Sequence, residues 1–323
     1  MTSNLHESLV AIVVTHNRPD KLRATVERLL DSSAEALLAL VVLDNASEPE
    51  TAELLAEYDD PRLVVVRSQQ NEGGAGGFSR GLRMASERFD PDWFVLMDDD
   101  GRPEPGSLET FHQLNKDGWD ALAAAVYFPS GEICEMNRPS RNPFWHATQF
   151  FQSAIKGRAG FHLKADDYAK DELFQIDVTS FVGFFISRKG VEIAGFPDPA
   201  LFIYGDDGIY TLGLSASGGR IAFAPLLRFE HDLSTFSGQR GRFRPLWKAY
   251  FYHRNLLILY RKAAGPWFWL VMFIILPRWF LKAKDHSGDR VRFLSLMRRA
   301  VWDGLWHRTD TKLSTVLEWA NKG

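Results

Sequence analysis

Unbroken apolar runs, each followed by a polar loop and then by helical spacing, organise the first third of the chain. The run Ser8 to Thr15 (SLVAIVVT) is apolar and β-branched, and the loop HNRPD leads from it into KLRATVERLLDS, whose apolar residues fall three and four apart. Such a pattern predicts strand, loop, helix. Leu37 to Leu43 ends in Asp44-Asn45-Ala46-Ser47, before a predicted helix over Glu50 to Tyr58. Leu63 to Arg67 leads into the glycine-rich Asn71 to Gly77, with a helix expected over Phe78 to Phe89. Trp93 to Met97 runs straight into Asp98-Asp99-Asp100.

Strands alternating with helices predict a parallel sheet wound right-handedly, and such sheets bind ligands beyond the C-terminal ends of their strands. Asp44, the glycine run and the Asp triplet all fall at such ends, so a nucleotide crevice is expected there. After Gly118 the alternation loosens into a shorter apolar run, Ala121 to Phe128, a polar and aromatic stretch, Asn137 to Lys170, and a strand-like Phe174 to Ser187. From Arg244 onward the pattern is helical, rich in Trp, Tyr, Arg and Lys, and punctuated by Gly265-Pro266 and Pro277.

Composition narrows the classes. With 45% hydrophobic and 24% charged residues in 323, the chain is an ordinary globular protein. A net charge of −3 supplies no general attraction to nucleic acid, so no nucleic-acid partner is expected. The single cysteine, Cys134, excludes an internal disulfide framework. Met1 to Leu9 lacks both a basic start and a long apolar run, so a cytoplasmic location is expected.

The aromatic residues crowd the C-terminal third. The uncharged stretch Ala263 to Pro277 is shorter than the roughly 20 residues needed to span a bilayer and is not read as transmembrane. Trp267, Phe268, Trp269, Phe273, Trp279 and Phe280, flanked by Arg261, Lys262, Arg278, Lys282 and Lys284, suit a helix lying on an anionic membrane. They equally suit packing on the α/β part of the chain or on a dimer partner. Peripheral contact with the inner membrane face and a homo-oligomer are therefore both carried forward.

Three constellations carry chemistry. Three consecutive carboxylates after a buried strand repel one another, which a divalent cation relieves, and hard oxygen ligands suit Mg²⁺ or Mn²⁺ bridged to substrate phosphates. Strand alternation would put Asp98 and Asp100 on one side and Asp99 on the other. A solvated acidic loop or a helix cap is the alternative. Four glycines at 73, 74, 76 and 77 permit close backbone approach and, with a helix N-terminus, can hold an anion; a flexible turn is the alternative. Neither a GxxxxGK[ST] nor a GxGxxG spacing is present. Asp206-Asp207 and His231-Asp232 offer a general base and a nitrogen ligand, against a surface turn and a core histidine.

The ordered series VAIVVTHNRPDKL, VVLDNAS, NEGGAGGFSRG, FVLMDDDGRPEP, FVGFFISR and LFIYGDDGIY, with YFYHRNLLILY at Tyr250 to Tyr260, resembles the family-2 glycosyltransferases of GT-A fold. Within that family it is most similar to the galactofuranosyl- and rhamnosyltransferases that extend bacterial surface glycans. The resemblance implies an α/β fold, a Rossmann-like, mixed but mainly parallel sheet flanked by helices. A GT-A catalytic domain would span 1–240, with a donor half to about 118 and an acceptor half beyond, and a helical aromatic-rich region would span 241–323.

The resemblance further implies that Thr15, Asn17 and Asp44 hold the uracil or thymine and ribose of a nucleotide-diphosphate sugar. Asp98 and Asp100 would stand as the metal-binding acid pair, His231 as the distal histidine completing it, and Asp99 with the donor-binding set. Gly73, Gly74, Gly76 and Gly77 would form the loop beside the donor, and Asp207, with Asp206 beside it, would be the catalytic base. Transfer would be a single inverting displacement onto a glycan or lipid-linked glycan, with galactofuranose from UDP as the first expectation and rhamnose from dTDP as the second. Where many members have an acid or aromatic two residues after the base and an Arg soon after, this chain reads GIYTLGLSASG, a departure at the acceptor side. A nucleotidyltransferase and a non-catalytic glycan-binding scaffold are the rival readings. The first lacks a basic glycine loop for a triphosphate, and the complete acid set argues against the second.

Overall fold

A computed structural model describes residues 7–233 and 242–321. Part of the N-terminal reading and the boundary placed at 240 lie outside the described residues. The expected alternation forms β1 (Leu9–Thr15), α1 (Pro19–Leu30), β2 (Ala39–Asp44), α2 (Pro49–Ala56), β3 (Leu63–Arg67), α3 (Gly73–Phe89) and β4 (Trp93–Asp98). Every residue of β1 and β2 is buried. Leu9, Ala11 and Val13 pack into one apolar layer and Val10, Ile12 and Val14 into the other, which is why the sequence runs apolar without alternating. Pro19 and Pro49 open α1 and α2, where their missing amides cost no helical hydrogen bond.

The chain continues through β5 (Gly101–Pro103), α4 (Ser107–Gln113), β6 (Ala121–Tyr127), α5 (Ala147–Lys156), α6 (Ala165–Tyr168), β7 (Phe174–Ile176), β8 (Phe184–Ser187), α7 (Arg188–Ala194), α8 (Asp206–Ala216) and β9 (Ile221–His231). The sheet order is β3-β2-β1-β4-β8-β6-β9-β5, with β7 also on β9. Pairings among β1 to β4 are parallel, whereas β8 joins β4 and β6 antiparallel and β9 lies parallel to β6. The expected mixed sheet is present, with its parallel portion concentrated in β1 to β4.

Three expectations need correcting. The glycines do not form a loop ahead of a helix at Phe78; α3 begins at Gly73, so they lie inside its first turns. A Cβ on Gly77 would come 2.5 Å from Val14 Cγ1, so the missing side chain lets α3 seat on β1, and packing overrides the low helix propensity of glycine. Phe174 to Ser187 is two strands rather than one, because Asp177 to Gly183 leaves the sheet between β7 and β8. β9, at 11 residues, is absent from the sequence reading altogether.

The C-terminal region folds as α9 (Lys248–Ala264), α10 (Phe268–Leu281), α11 (Arg290–Leu305) and α12 (Leu313–Asn321). α9 is buried, with Tyr250, Phe251, Arg254, Asn255 and Leu257 all at or below 1% exposure. α10 is the reverse: Trp267 before it and Trp269, Leu270, Phe273, Ile274 and Leu281 on it are exposed, Phe273 by 80%. The helical run Lys248–Asp285, longer than the uncharged stretch alone, is long and apolar enough to cross a membrane by length and composition, and 22% of its most apolar stretch is buried.

Candidate functional site

The acid triplet sits where β4 gives out. β4 ends at Asp98, and the chain turns through Asp99 and Asp100 into β5. The turn cancels the alternation expected of a strand. Arg18 Nη1 lies 2.6 Å from both Asp99 Oδ1 and Asp100 Oδ2, so these two carboxylates share one side, and the expectation that Asp99 points away from Asp100 is wrong. Asp99 Oδ2 accepts the Thr15 hydroxyl at 2.8 Å, and the Thr25 hydroxyl donates to the Asp99 carbonyl at 2.8 Å. Thr15 therefore braces the triplet from β1. Sequence reasoning does not single out Arg18. The signal available was a cation in the loop of one strand end, facing acids on the neighbouring strand end.

β5 brings His231 to the triplet through its register, since Gly101 pairs with His231 across the antiparallel β5–β9 ladder. His231 Nε2 lies 3.1 Å from Asp100 Oδ1, and Nδ1 lies 2.7 Å from Asn137 Oδ1. An amide oxygen only accepts, so Nδ1 carries a proton and Nε2 is the atom turned to the acids. Although burial opposes it, the hydrogen bond to Asp100 raises His231 to about 9. Asp98 rises to about 7 through burial and the neighbouring charge of Asp100. Burial raises Asp99 to about 6 against the pull of Arg18. Burial also acts on Asp100, but His231 and Arg18 hold it below its usual range.

The donor set is chemically suited to a hard divalent cation: Asp98 is half-buried among like charges, and an imidazole nitrogen is oriented by Asn137 as outer-shell partners orient metal ligands. Among the described residues no group of three or more His, Cys, Asp or Glu is closed around one point to hold a metal. Arg18 instead neutralises Asp99 and Asp100 directly.

The flank expected to hold the nucleoside is built from interlocked loops. Asn17, at φ +57°, accepts the Glu48 amide on its Oδ1 at 2.7 Å, and its own amide donates to Ser47 Oγ at 3.0 Å. Asp44 is 1% exposed; its Oδ1 accepts the Ser47 amide and its Oδ2 lies 3.5 Å from Arg67. Both residues thus shape the wall of the crevice. Asn45, not singled out from sequence, ties that wall to the glycines: its Nδ2 donates to the Gly73 carbonyl and its Oδ1 accepts the Glu72 amide.

The glycine run meets the segment before α8. Gly73 has φ +70°, and a Cβ there would fall 2.1 Å from the Phe202 carbonyl oxygen. The Ala75 amide donates to that same oxygen at 3.0 Å, and the Gly73 amide donates to Asn71 Oδ1. These two amides are spent within the protein, so the expected anion cradle is reduced. At Gly74 a Cβ would meet nothing within 4 Å, so its backbone faces open space, while Gly76 abuts only the stem of Glu72. Gly73→Ala is accordingly expected to cost about 2–4 kcal/mol in urea unfolding, as non-glycine residues do when forced into strained backbone against a neighbour. Gly74→Ala should leave stability unchanged.

α8 starts at Asp206-Asp207. Asp206 is buried and Asp207 half-buried. Burial and the charges of Asp207 and Asp98 hold Asp206 well above its usual range, which places this pair within electrostatic reach of the triplet. Burial raises Asp207 too, while the Gly208 amide, 2.6 Å from its Oδ1, opposes the shift. The structure thus brings Asp98, Asp99, Asp100, His231, Asp206, Asp207 and the glycines to one edge of the sheet, with Asn17 and Asp44 along its flank.

The chain is similar to known proteins at several levels. The chain is 29% identical over 203 residues to the galactofuranosyltransferase GlfT1 of Mycolicibacterium smegmatis, covering 62% of this chain and 63% of that protein. It is 25% identical over 326 residues to the galactofuranosyltransferase GlfT2 of Mycobacterium tuberculosis, covering 94% and 46%. The chain therefore spans less than two thirds of the length of these relatives. Among solved structures, GalNAc-T7 with UDP, GalNAc and Mn²⁺ superposes with a TM-score of 0.56 at 15% identity, covering 94% of this chain and 58% of that one. The mannosyltransferase PcManGT of Pyrobaculum calidifontis, in complex with GDP-Man and Mn²⁺, gives 0.56 at 14% identity, covering 94% and 88%. These likenesses show the GT-A fold. The model of glycosyl transferase family 2 matches residues 10–173, just over half of the chain, so a sheet whose strand ends gather an Asp triplet and a glycine-opened helix belongs to a member of that family.

Proposed function

We propose that this chain transfers galactofuranose from UDP-galactofuranose to a hydroxyl of a glycan or lipid-linked glycan, with inversion at the anomeric carbon. The observation that carries the reading is the hydrogen bond from the Ala75 amide to the Phe202 carbonyl, which holds the segment ahead of Asp206-Asp207 against the glycine-opened α3, at the same strand ends that carry the Asp98 triplet; a proton acceptor would then stand beside the donor. The galactofuranosyltransferase relatives support the choice of sugar. Asp98, Asp100 and His231 would hold Mn²⁺ or Mg²⁺, which would supply positive charge to the departing diphosphate. Asn17, Asp44 and Thr15 shape or brace the nucleoside side, and Gly74 offers open backbone to the donor.

In the step itself the acceptor oxygen bonds to the anomeric carbon as the bond from that carbon to the diphosphate oxygen breaks. The hydroxyl proton passes to Asp207, and UDP leaves with the electron pair. Asp207 is the better base of the two because it is the more open, and because Asp206, deeper and facing two like charges, keeps its proton. A screen of UDP- and dTDP-sugars with Mn²⁺ or Mg²⁺ tests the reading: turnover is expected with UDP-galactofuranose, and preference for dTDP-rhamnose would replace the sugar assignment.

We also infer that α10 rests on an anionic membrane without crossing it. Its exposed rings lie beside cations: the Arg261 guanidinium stands 5.8 Å over the exposed Trp269 ring and 4.5 Å over the buried Phe268 ring. Apolar side chains rimmed by bases suit the headgroup boundary of anionic lipid. Replacing Trp267, Trp269 and Phe273 together by Ser is expected to lower binding to phosphatidylglycerol liposomes at least tenfold, while donor hydrolysis stays unchanged. Loss of a dimer, with no liposome binding by the wild type, would make this face a subunit interface instead.

A further inference from the structure

The segment carrying the proposed base has an unusual backbone. Phe202 and Tyr204 sit at φ +67° and Gly205 at +74°, three left-handed residues in four positions just before Asp206. Non-glycine residues in that region cost of order 1 kcal/mol each, and they persist only where surroundings over-determine them. The surroundings here are one side chain of α9. Asn255, fully buried, directs its Nδ2 at the carbonyl oxygens of Leu201, Ile203 and Tyr204, at 2.9, 2.9 and 2.8 Å.

Its neighbour fixes how that amide sits. Arg254 Nε donates to Asn255 Oδ1 at 2.9 Å, so the amide fits only with its oxygen toward the guanidinium and its nitrogen toward the three carbonyls. Arg254 Nη2 itself donates to the Ala200 and Leu201 carbonyls, at 3.0 and 2.9 Å. Both side chains are entirely buried. On the far side of the same segment, the Phe202 carbonyl accepts the Ala75 amide from the glycine-opened α3.

We propose that Asn255, oriented by Arg254, is the positioning residue that holds Asp207 toward the acceptor, by clamping residues 201–205 in their left-handed path against α3. The inference deepens the function proposed above and rests on it for the role of Asp207. The clamp places the α9 helix within the catalytic unit, although it lies beyond the boundary expected at 240.

Hydrogen exchange and kinetics on Asn255→Ala test it together. Amide exchange in peptides spanning 200–208 and Ala75 is expected to rise at least tenfold, while peptides of β1 and β4 stay protected. UDP affinity by calorimetry should stay within threefold while kcat falls about 100-fold, the scale on which small misplacements of a reacting group act. In an Asp207→Asn background the same substitution should cost no further activity. Should the alanine variant not fold, Asn255→Ser, which keeps a short donor, carries the same measurements. Unchanged exchange at 200–208, a kcat within twofold of wild type, or an undiminished loss in the Asp207→Asn background each overturns the proposal. A wild type that transfers no sugar refutes the function proposed above, and the exchange result then decides the clamp by itself.

Discussion

Asp207→Asn is expected to lower sugar transfer by about 10²–10⁴-fold, the usual worth of a positioned general base, with UDP binding unchanged. The amide keeps the shape of the side chain, and its oxygen can still accept the Gly208 amide that Asp207 Oδ1 accepts now. The base works only when ionised, and burial raises its pKa above 3.8. Activity should therefore rise with pH along an acid limb whose midpoint exceeds that of an exposed aspartate, and Asp207→Asn should abolish the limb. Asp206→Asn is the companion measurement. Burial and like charges raise Asp206 well above its usual range and its side chain is buried, so its amide variant should retain most of the turnover. Near-normal transfer by Asp207→Asn with loss in Asp206→Asn would exchange the two roles.

The second large effect is expected at the triplet. Asp100→Ala removes the partner of both His231 Nε2 and Arg18 Nη1, and Asp98→Ala removes the half-buried carboxylate with the most strained charge. Each should abolish transfer and metal-dependent donor binding, and EDTA should reproduce the loss in the wild type. Full activity in EDTA would end the metal assignment. Asp99→Ala should act differently, because Asp99 spends its oxygens on Thr15 and Arg18. Breaking a largely buried ion pair costs about 3–5 kcal/mol, so the expected result for Asp99→Ala is a drop in melting temperature ahead of any drop in metal affinity. Circular dichroism alongside the kinetics separates the cases.

The parallel core and the acids at its edge were legible because they are written in contiguous residues. β1, β2 and β4 read as unbroken apolar runs since helices cover both faces of the sheet, and Asp98 to Asp100 follows β4 without a gap. Where local preference and packing disagree, the reading failed. Four glycines look like a loop, yet Gly77 is required for α3 to reach Val14. β9 carries Pro225 and partners β5, β6 and β7 at once, so no period of two marks it. Asp99 was assigned by strand alternation, which stops one residue too early.

The site residues that were missed act across long separations. Arg18 meets the triplet 81 and 82 residues away, and Asn137 orients His231 across 94. Asn255 touches the base segment only because α9 packs on α8. Motif spacing reports on neighbours in sequence, and such partners carry no local periodicity. For Asn255 the one sign is a polar run in an otherwise apolar helix, the HRN within Tyr250 to Tyr260.

The clamp on residues 201–205 also fixes when the site comes into being. A nascent chain that has emerged as far as α8 already contains every acid and glycine assigned above, but the carbonyls of Leu201, Ile203 and Tyr204 await a donor 51 to 54 residues further on. These hydrogen bonds cannot form until α9 has been synthesised, whereas the parallel core, with Leu9 already paired to Trp93, lies wholly upstream of it. Catalytic competence is then the closing event of biosynthesis, and ribosome-bound chains ending before α9 should carry the folded sheet without the ability to turn over donor.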